Sequence, residues 1–223
     1  MRPSRVTVGL FAAILLLAGC RPPHISDGAT PTLWPATEDT DGAPTFAPTP
    51  SVQPSPAPTS TPDLPDGWQE YSSADLGLKV YVPPRWEARP FDAHHLEVRE
   101  IDSIGWLEIG VVDEASEAEW GLDYRPTMRA DELMDILLAA LRQNGDFEEA
   151  RPLLTREGRT ARVSTGTYAV LNERLLIGVV SLRERAIIVI GHGSEGAADA
   201  DEEWERLAAI YERIVWSITP QGE

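Results

Sequence analysis

Cysteine is almost absent: Cys20 is the only one in 223 residues. That excludes an intrachain disulfide, a cysteine-cluster zinc site and a CxxC redox pair. Lysine is as scarce, with Lys79 alone, so arginine carries nearly all the positive charge. Lys and Arg together number 19 against 36 Asp and Glu, a formal net charge of −17. Such a chain makes a poor nucleic-acid binder, because neutralising phosphate needs clustered Lys and Arg. There are only four histidines, His24, His94, His95 and His192. Adjacent strand residues face opposite ways, so His94 and His95 cannot chelate one ion together. Long hydrophobic runs are missing but for Val6–Ala18, itself broken by Thr7 and Gly9. It is shorter than the roughly 20 apolar residues a membrane span needs. What is present in quantity is apolar content: 42% hydrophobic residues is normal for a globular chain and too high for a fully disordered one.

The apolar run follows Arg2 and Arg5 and ends in Leu17-Ala18-Gly19-Cys20. A basic start, a short apolar stretch and small residues form the order of a secretory signal. With the lone cysteine closing it, the segment resembles the lipobox of bacterial lipoproteins. The resemblance implies cleavage after residue 19, a lipid on the Cys20 sulfur, and a mature protein held on the extracytoplasmic face of the cell membrane. Lipid would then do all the anchoring, since no basic patch is available for anionic headgroups. Residues 20–66 read as the lipidated cysteine and a tether. Arg21–Asp66 holds 12 of the 19 prolines, with many Thr, Ser and Ala. Proline denies helix and ladder bonds, and too little apolar surface is present to offset ordering entropy. A disordered, partly polyproline-II stalk of this length spans about 40 Å as a coil and up to about 140 Å extended.

From Gly67 prolines thin out, and residues 67–219 suit one globular domain. Leu78–Val82, Leu96–Ile101 and Trp106–Val112 alternate as strands. Pro152–Thr155 and Thr160–Tyr168 flank Glu157-Gly158, a hairpin turn. Leu175–Leu182 and Ala186–Ile190 are apolar on both parities, so they require cover on both faces. Two amphipathic helices can supply it. In Met128–Gln143, residues Leu133, Ile136, Leu137, Ala140 and Leu141 share a face, with Thr127 as the expected N-cap and Gly145 as the stop. In Asp201–Ile218, Trp204, Leu207, Ala208, Tyr211, Val215 and Ile218 do the same. The layered solution is an α+β fold, an α/β/α sandwich with a mostly antiparallel central sheet and two main helices.

Trp68…Tyr71 followed by Leu76-Gly77-Leu78-Lys79-Val80-Tyr81-Val82-Pro83…Trp86 resembles the opening of PsbP/Mog1-like domains. The ending Ile214-Val215-Trp216-Ser217-Ile218 is similar to theirs, so the resemblance spans about residues 67–219. It implies an α/β/α sandwich that acts as a binding or assembly module for a protein or envelope partner rather than as an enzyme. No binding residue of the family carries over.

Three features invite chemistry. Gly191-His192-Gly193-Ser194-Glu195-Gly196 satisfies G-x-G-x-x-G between a strand and a helix. A dinucleotide site also needs a second strand bearing an acid about 20 residues on. Helix fills most of what remains, and Glu195, Asp199, Asp201, Glu202 and Glu203 crowd the helix start. The segment therefore reads as a mobile connector, with no nucleotide and no other cofactor. Ser194 has His192 where a nucleophile elbow needs Gly, and no histidine follows it. His95, Glu97 and Arg99 read as a solvated polar ladder. Glu114, Glu117, Glu119 and Asp123 surround Trp120 and read as an acidic surface. No metal site is expected. The alternative to a binding module is an envelope hydrolase using those carboxylates or His95.

Overall fold

A computed structural model describes residues 64–116, 120–196 and 199–221. The expected signal peptide, Cys20 and nearly all of the tether lie outside the described residues. Chain order is β1 (Gln69–Ser73), β2 (Leu78–Val82), β3 (Trp86–Pro90), β4 (His95–Glu100), β5 (Trp106–Val112), α1 (Ala130–Leu141), β6 (Gly145–Phe147), β7 (Arg151–Leu154), β8 (Thr160–Tyr168), β9 (Glu173–Ser181), β10 (Ala186–Ser194), α2 (Ala200–Ser217) and β11 (Thr219–Pro220).

The main sheet runs β3-β4-β5-β10-β9-β8-β6, with β7 also on β8, and every pairing is antiparallel. The two-faced strands β9 and β10 sit in its middle, as their apolar parities require. Leu176, Val180, Ile187 and Val189 point to one side, where Leu207, Tyr211, Ile214 and Val215 of α2 cover them. Leu175, Ile177, Val179, Ile188 and Ile190 point to the other, under Leu133, Met134, Leu137, Leu138 and Leu141 of α1. Each fully buried Leu, Ile or Val contributes about 1.5–3 kcal/mol of transfer free energy, before ordering costs. The result is the α/β/α sandwich. Among the described residues, both sheets lie within 69–220, and the residues of both cores within 68–218.

β2 is not part of the main sheet. It lies between β1 and β11 in a separate three-stranded sheet, with Leu78, Val80 and Val82 packed into the α2-side core. Arg185, in the β9–β10 turn, donates to the carbonyls of Leu76 and Gly77 at 2.8 Å each and so fastens the β1–β2 turn to the main sheet.

Two local expectations change. The N-cap of α1 is Arg129, not Thr127: Glu132 accepts the Arg129 backbone N–H at 3.3 Å, so the helix begins two residues later. The Gly191–Gly196 segment is not a connector through most of its length. Gly191, His192, Gly193 and Ser194 continue β10, paired with Leu176, Leu175, Arg174 and Glu173 of β9. The glycines are there because α2 lays aromatic rings on the strand. A Cβ on Gly191 would stand 2.3 Å from Tyr211 Cδ2, and one on Gly193 would stand 2.6 Å from Trp204 Cε3. His192, between them, points to the opposite face.

Candidate functional site

Two regions on the α1 side of the main sheet concentrate polar chemistry. The first is a buried seam across β4, β5, β10 and β9. Its spine is the outward parity of β5: Trp106, Glu108 and Gly110. Register sets their neighbours. Glu97 lies opposite Glu108, His95 opposite Gly110, and His192 opposite Trp106.

Each histidine is held by a carboxylate. His192 stacks on Trp106, with centroids 3.7 Å apart and planes 4° from parallel. Its Nδ1 is 2.8 Å from a Glu173 oxygen. The carboxylate accepts Nδ1–H, which leaves Nε2 of the neutral ring as a lone-pair acceptor. Nε2 is buried without a partner among the described residues. Burial pushes the His192 pKa down, and Glu173 opposes that only in part. His95 Nδ1 lies 2.8 Å from both Asp92 oxygens, and its ring is 5.3 Å from that of Trp120. Gly110 admits the indole: a Cβ there would stand 2.1 Å from Trp120 Cζ2.

Glu108 lies along β5 between these two pairs. It is 9% exposed and its Oε2 has no partner among the described residues. Burial first, then the charges of Glu97, Asp92 and Glu173, raise its pKa from 4.5 to about 8. At neutral pH it is a protonated acid. Chemically, the seam offers a proton donor in Glu108 and an acceptor in His192 Nε2, both closed off from bulk solvent.

His95, Glu97 and Trp120 thus come together, but not as the sequence suggests. His95 and Glu97 are half-buried, not a solvated ladder: the Trp120 ring lies against His95, and Glu97 faces Glu108 across the strands. Glu114 and Asp123 are exposed, whereas Glu117 and Glu119 lie outside the described residues. Gly193 and Ser194 of the motif line, with Asp199 and Glu203, a hollow of about 220 Å³ at the start of α2. Among the described residues no group of three or more His, Cys, Asp or Glu is arranged to hold a metal ion. Nor is any described helix long and apolar enough to cross a membrane.

The second region is an open trough of about 770 Å³. One wall is the segment leading into α1, residues 126–131. The floor and far wall are Pro152 of β7, Thr160 and Arg162 of β8, Ser181 of β9, and Leu182 and Arg183 of the following turn. Cross-strand register places Arg162 beside Pro152, and Thr160 beside Leu154, which is 63% exposed. Arg129 at the rim is paired with Asp131. Arg162, half-buried, and Arg183, exposed, have no ion-pair or hydrogen-bond partner among the described residues. The Ser181 hydroxyl is buried and also without a partner among them.

The chain matches no family model and no curated protein. Several solved structures are similar to it. Against the solution structure of cyanobacterial PsbP (CyanoP) from Synechocystis, identity is 13% over 69% of this chain and 92% of that one, with a TM-score of 0.44. Against a crystal structure from Bacteroides thetaiotaomicron it is 9% over 70% and 50%, with a TM-score of 0.40. Against a Pseudomonas aeruginosa protein of unknown function it is 12% over 70% and 99%, with a TM-score of 0.36. Likeness at this level assigns neither a family nor a function.

Proposed function

We propose that this protein is a non-catalytic, lipid-anchored binding module on the extracytoplasmic face of a cell membrane. The observation that supports binding is the trough: an open, largely apolar hollow with two guanidinium groups that no carboxylate among the described residues neutralises. Anchoring rests on Leu17-Ala18-Gly19-Cys20, and presentation away from the bilayer on the proline-rich stretch before Gly67. The motifs of residues 67–86 and 214–218, similar to PsbP/Mog1-like domains, support a binding or assembly role for the domain. The partner is a protein or another envelope component.

Two measurements test this. Palmitate labelling and mass spectrometry of the N-terminal peptide are expected to find acyl chains on Cys20, and Cys20→Ala to leave an uncleaved or membrane-released protein. Unmodified Cys20 in the wild type refutes the anchor. Crosslinking capture from membranes is expected to recover one partner species that is lost when Thr160→Trp fills the trough.

A hydrolase working at the seam is the second reading. What favours it is Glu108, held protonated opposite Glu97, since carboxyl pairs with separated pKa values divide acid and base roles. Cleavage of envelope glycans by the wild type, abolished in Glu108→Gln, would establish it over the binding module.

A further inference from the structure

We infer that the trough binds a small amphipathic organic anion, with its apolar body against Pro126, Pro152 and Leu182 and its anionic head between Arg162 and Arg183. This rests on the binding-module reading and gives it a ligand class.

Charge is the first argument. Seven described arginines, Arg89, Arg99, Arg129, Arg151, Arg159, Arg174 and Arg206, pair with carboxylates. Arg142 and Arg185 donate to backbone carbonyls instead, and Arg156 lies over the Tyr81 ring. Arg162 and Arg183, like the exposed Arg85 and Arg125, have no such contact among the described residues, but they alone of these four line one hollow. Arg162 is also half-buried, so part of its hydration is lost with no ionic contact to replace it. A bound anion restores that contact. Guanidinium offers a planar fork of donors suited to carboxylate, sulfonate or phosphate oxygens.

One acid, Asp131, lines the trough among the described residues. It is bound to Arg129, which lowers its pKa most, and backbone N–H groups of the first turn of α1 lower it further. That helix end is therefore already occupied, and the guanidinium groups, not the helix dipole, hold the anion. On its far side Arg162 borders a smaller hollow of about 330 Å³ with Asp131, Asp135, Glu149 and Arg142, none of the acids within ion-pair distance of it.

Size and lining set the rest of the class. A hollow of about 770 Å³ lies in the range of about 300–1,000 Å³ typical of small-molecule sites. Its proline and leucine walls, and the exposed Leu154 beside Thr160, favour an apolar body over a sugar or a free inorganic anion.

The probe is 8-anilinonaphthalene-1-sulfonate, an aromatic body with one anionic group, titrated by fluorescence into the full chain. Expected is saturable binding with one site per chain that weakens as salt is added. Arg162→Gln combined with Arg183→Gln is expected to weaken it at least about tenfold, the loss of charge-assisted contacts. Arg89→Gln, on the far edge of the sheet, is expected to leave it unchanged. Uncharged N-phenyl-1-naphthylamine is expected to bind at least about tenfold more weakly, on the same reasoning. Competition by decanoate, decyl phosphate and decanol then distinguishes carboxylate from phosphate headgroups and both from a merely apolar ligand. Far-UV circular dichroism checks that each variant is folded. No saturable binding, equal binding by the double variant, or equal binding by the neutral probe overturns the inference. If the titration is flat while partner capture remains sensitive to Thr160→Trp, the ligand class is wrong and the module stands. If neither responds to the trough, both fall.

Discussion

Replacing Glu108 with Gln is expected to make the domain more stable, and increasingly so as pH rises. Glu108 is buried beside Glu97, with Asp92 and Glu173 nearby, and its pKa is raised from 4.5 to about 8. The folded protein therefore holds a proton that the unfolded chain releases between those values. Stability from this group is complete below about pH 4.5 and is lost as pH climbs through 8. At about 1.4 kcal/mol per pH unit, the ceiling is about 5 kcal/mol. Water entry and local relaxation reduce it, and about 3 kcal/mol is a reasonable expectation. For a domain of this size that corresponds to about 6–12 °C in Tm. Gln keeps the shape of the protonated acid and cannot ionise. His192 titrates in the opposite sense: burial lowers its pKa below 6.5, so its contribution is full above that value and lost as pH falls. That effect is common to both proteins and cancels in their difference. The assay is thermal unfolding by circular dichroism from pH 5 to 9. Near pH 5 the two proteins should melt within a few degrees of each other, and by pH 9 the variant should lead by about 10 °C. A difference independent of pH, or a variant less stable at pH 9, refutes the assignment of Glu108 as a buried neutral acid.

Tyr211→Phe removes a hydroxyl that donates to the His192 carbonyl at 2.6 Å and accepts the Trp106 N–H at 3.1 Å. Two buried backbone groups lose their partner, so urea unfolding should show a loss of about 1–3 kcal/mol. Gly191→Ala drives a methyl into the Tyr211 ring. It should lower the urea midpoint by the equivalent of about 1–3 kcal/mol, whereas a mobile connector would tolerate it.

Period and parity carried the architecture. Alternation marked β2 and β5, the two-parity apolar runs placed β9 and β10 at the centre, and the 3.6-residue spacing found both helices. What escaped depends on partners distant in sequence. Gly191-His192-Gly193-Ser194 shows no apolar signal, because the rings that fill the space above its glycines belong to α2. Alternation in Leu78–Val82 cannot say which sheet a strand joins, so the small sheet stayed hidden, along with its two-residue β11. Glu108 sits among apolar residues at the parity that usually faces water. It becomes a buried acid in a seam that Glu97, His95 and Trp120 build from separate stretches of chain. The seam left a partial trace, since His95 and Trp120 stood out separately before the structure brought them together. The trough left none: its walls come from four separate stretches between residues 126 and 183, each unremarkable in isolation.

β11 has a consequence for the order in which the domain can be completed. Thr219 pairs with Lys79, the Gln221 backbone N–H donates to the Gly77 carbonyl at 2.8 Å, and its side chain donates to the Leu78 carbonyl across 143 positions of sequence. During synthesis, β2 emerges long before the strand that closes over it. At about 5–20 residues per second, that interval is on the order of ten seconds. Throughout it the apolar side of β2 has no α2 to cover it, so the nascent domain presents Leu78, Val80 and Val82 to whatever binds unfolded chains. Completion waits for residues 219–221, and a truncation before Thr219 should be felt at the opposite end of the domain, as a loosened β1–β2 turn.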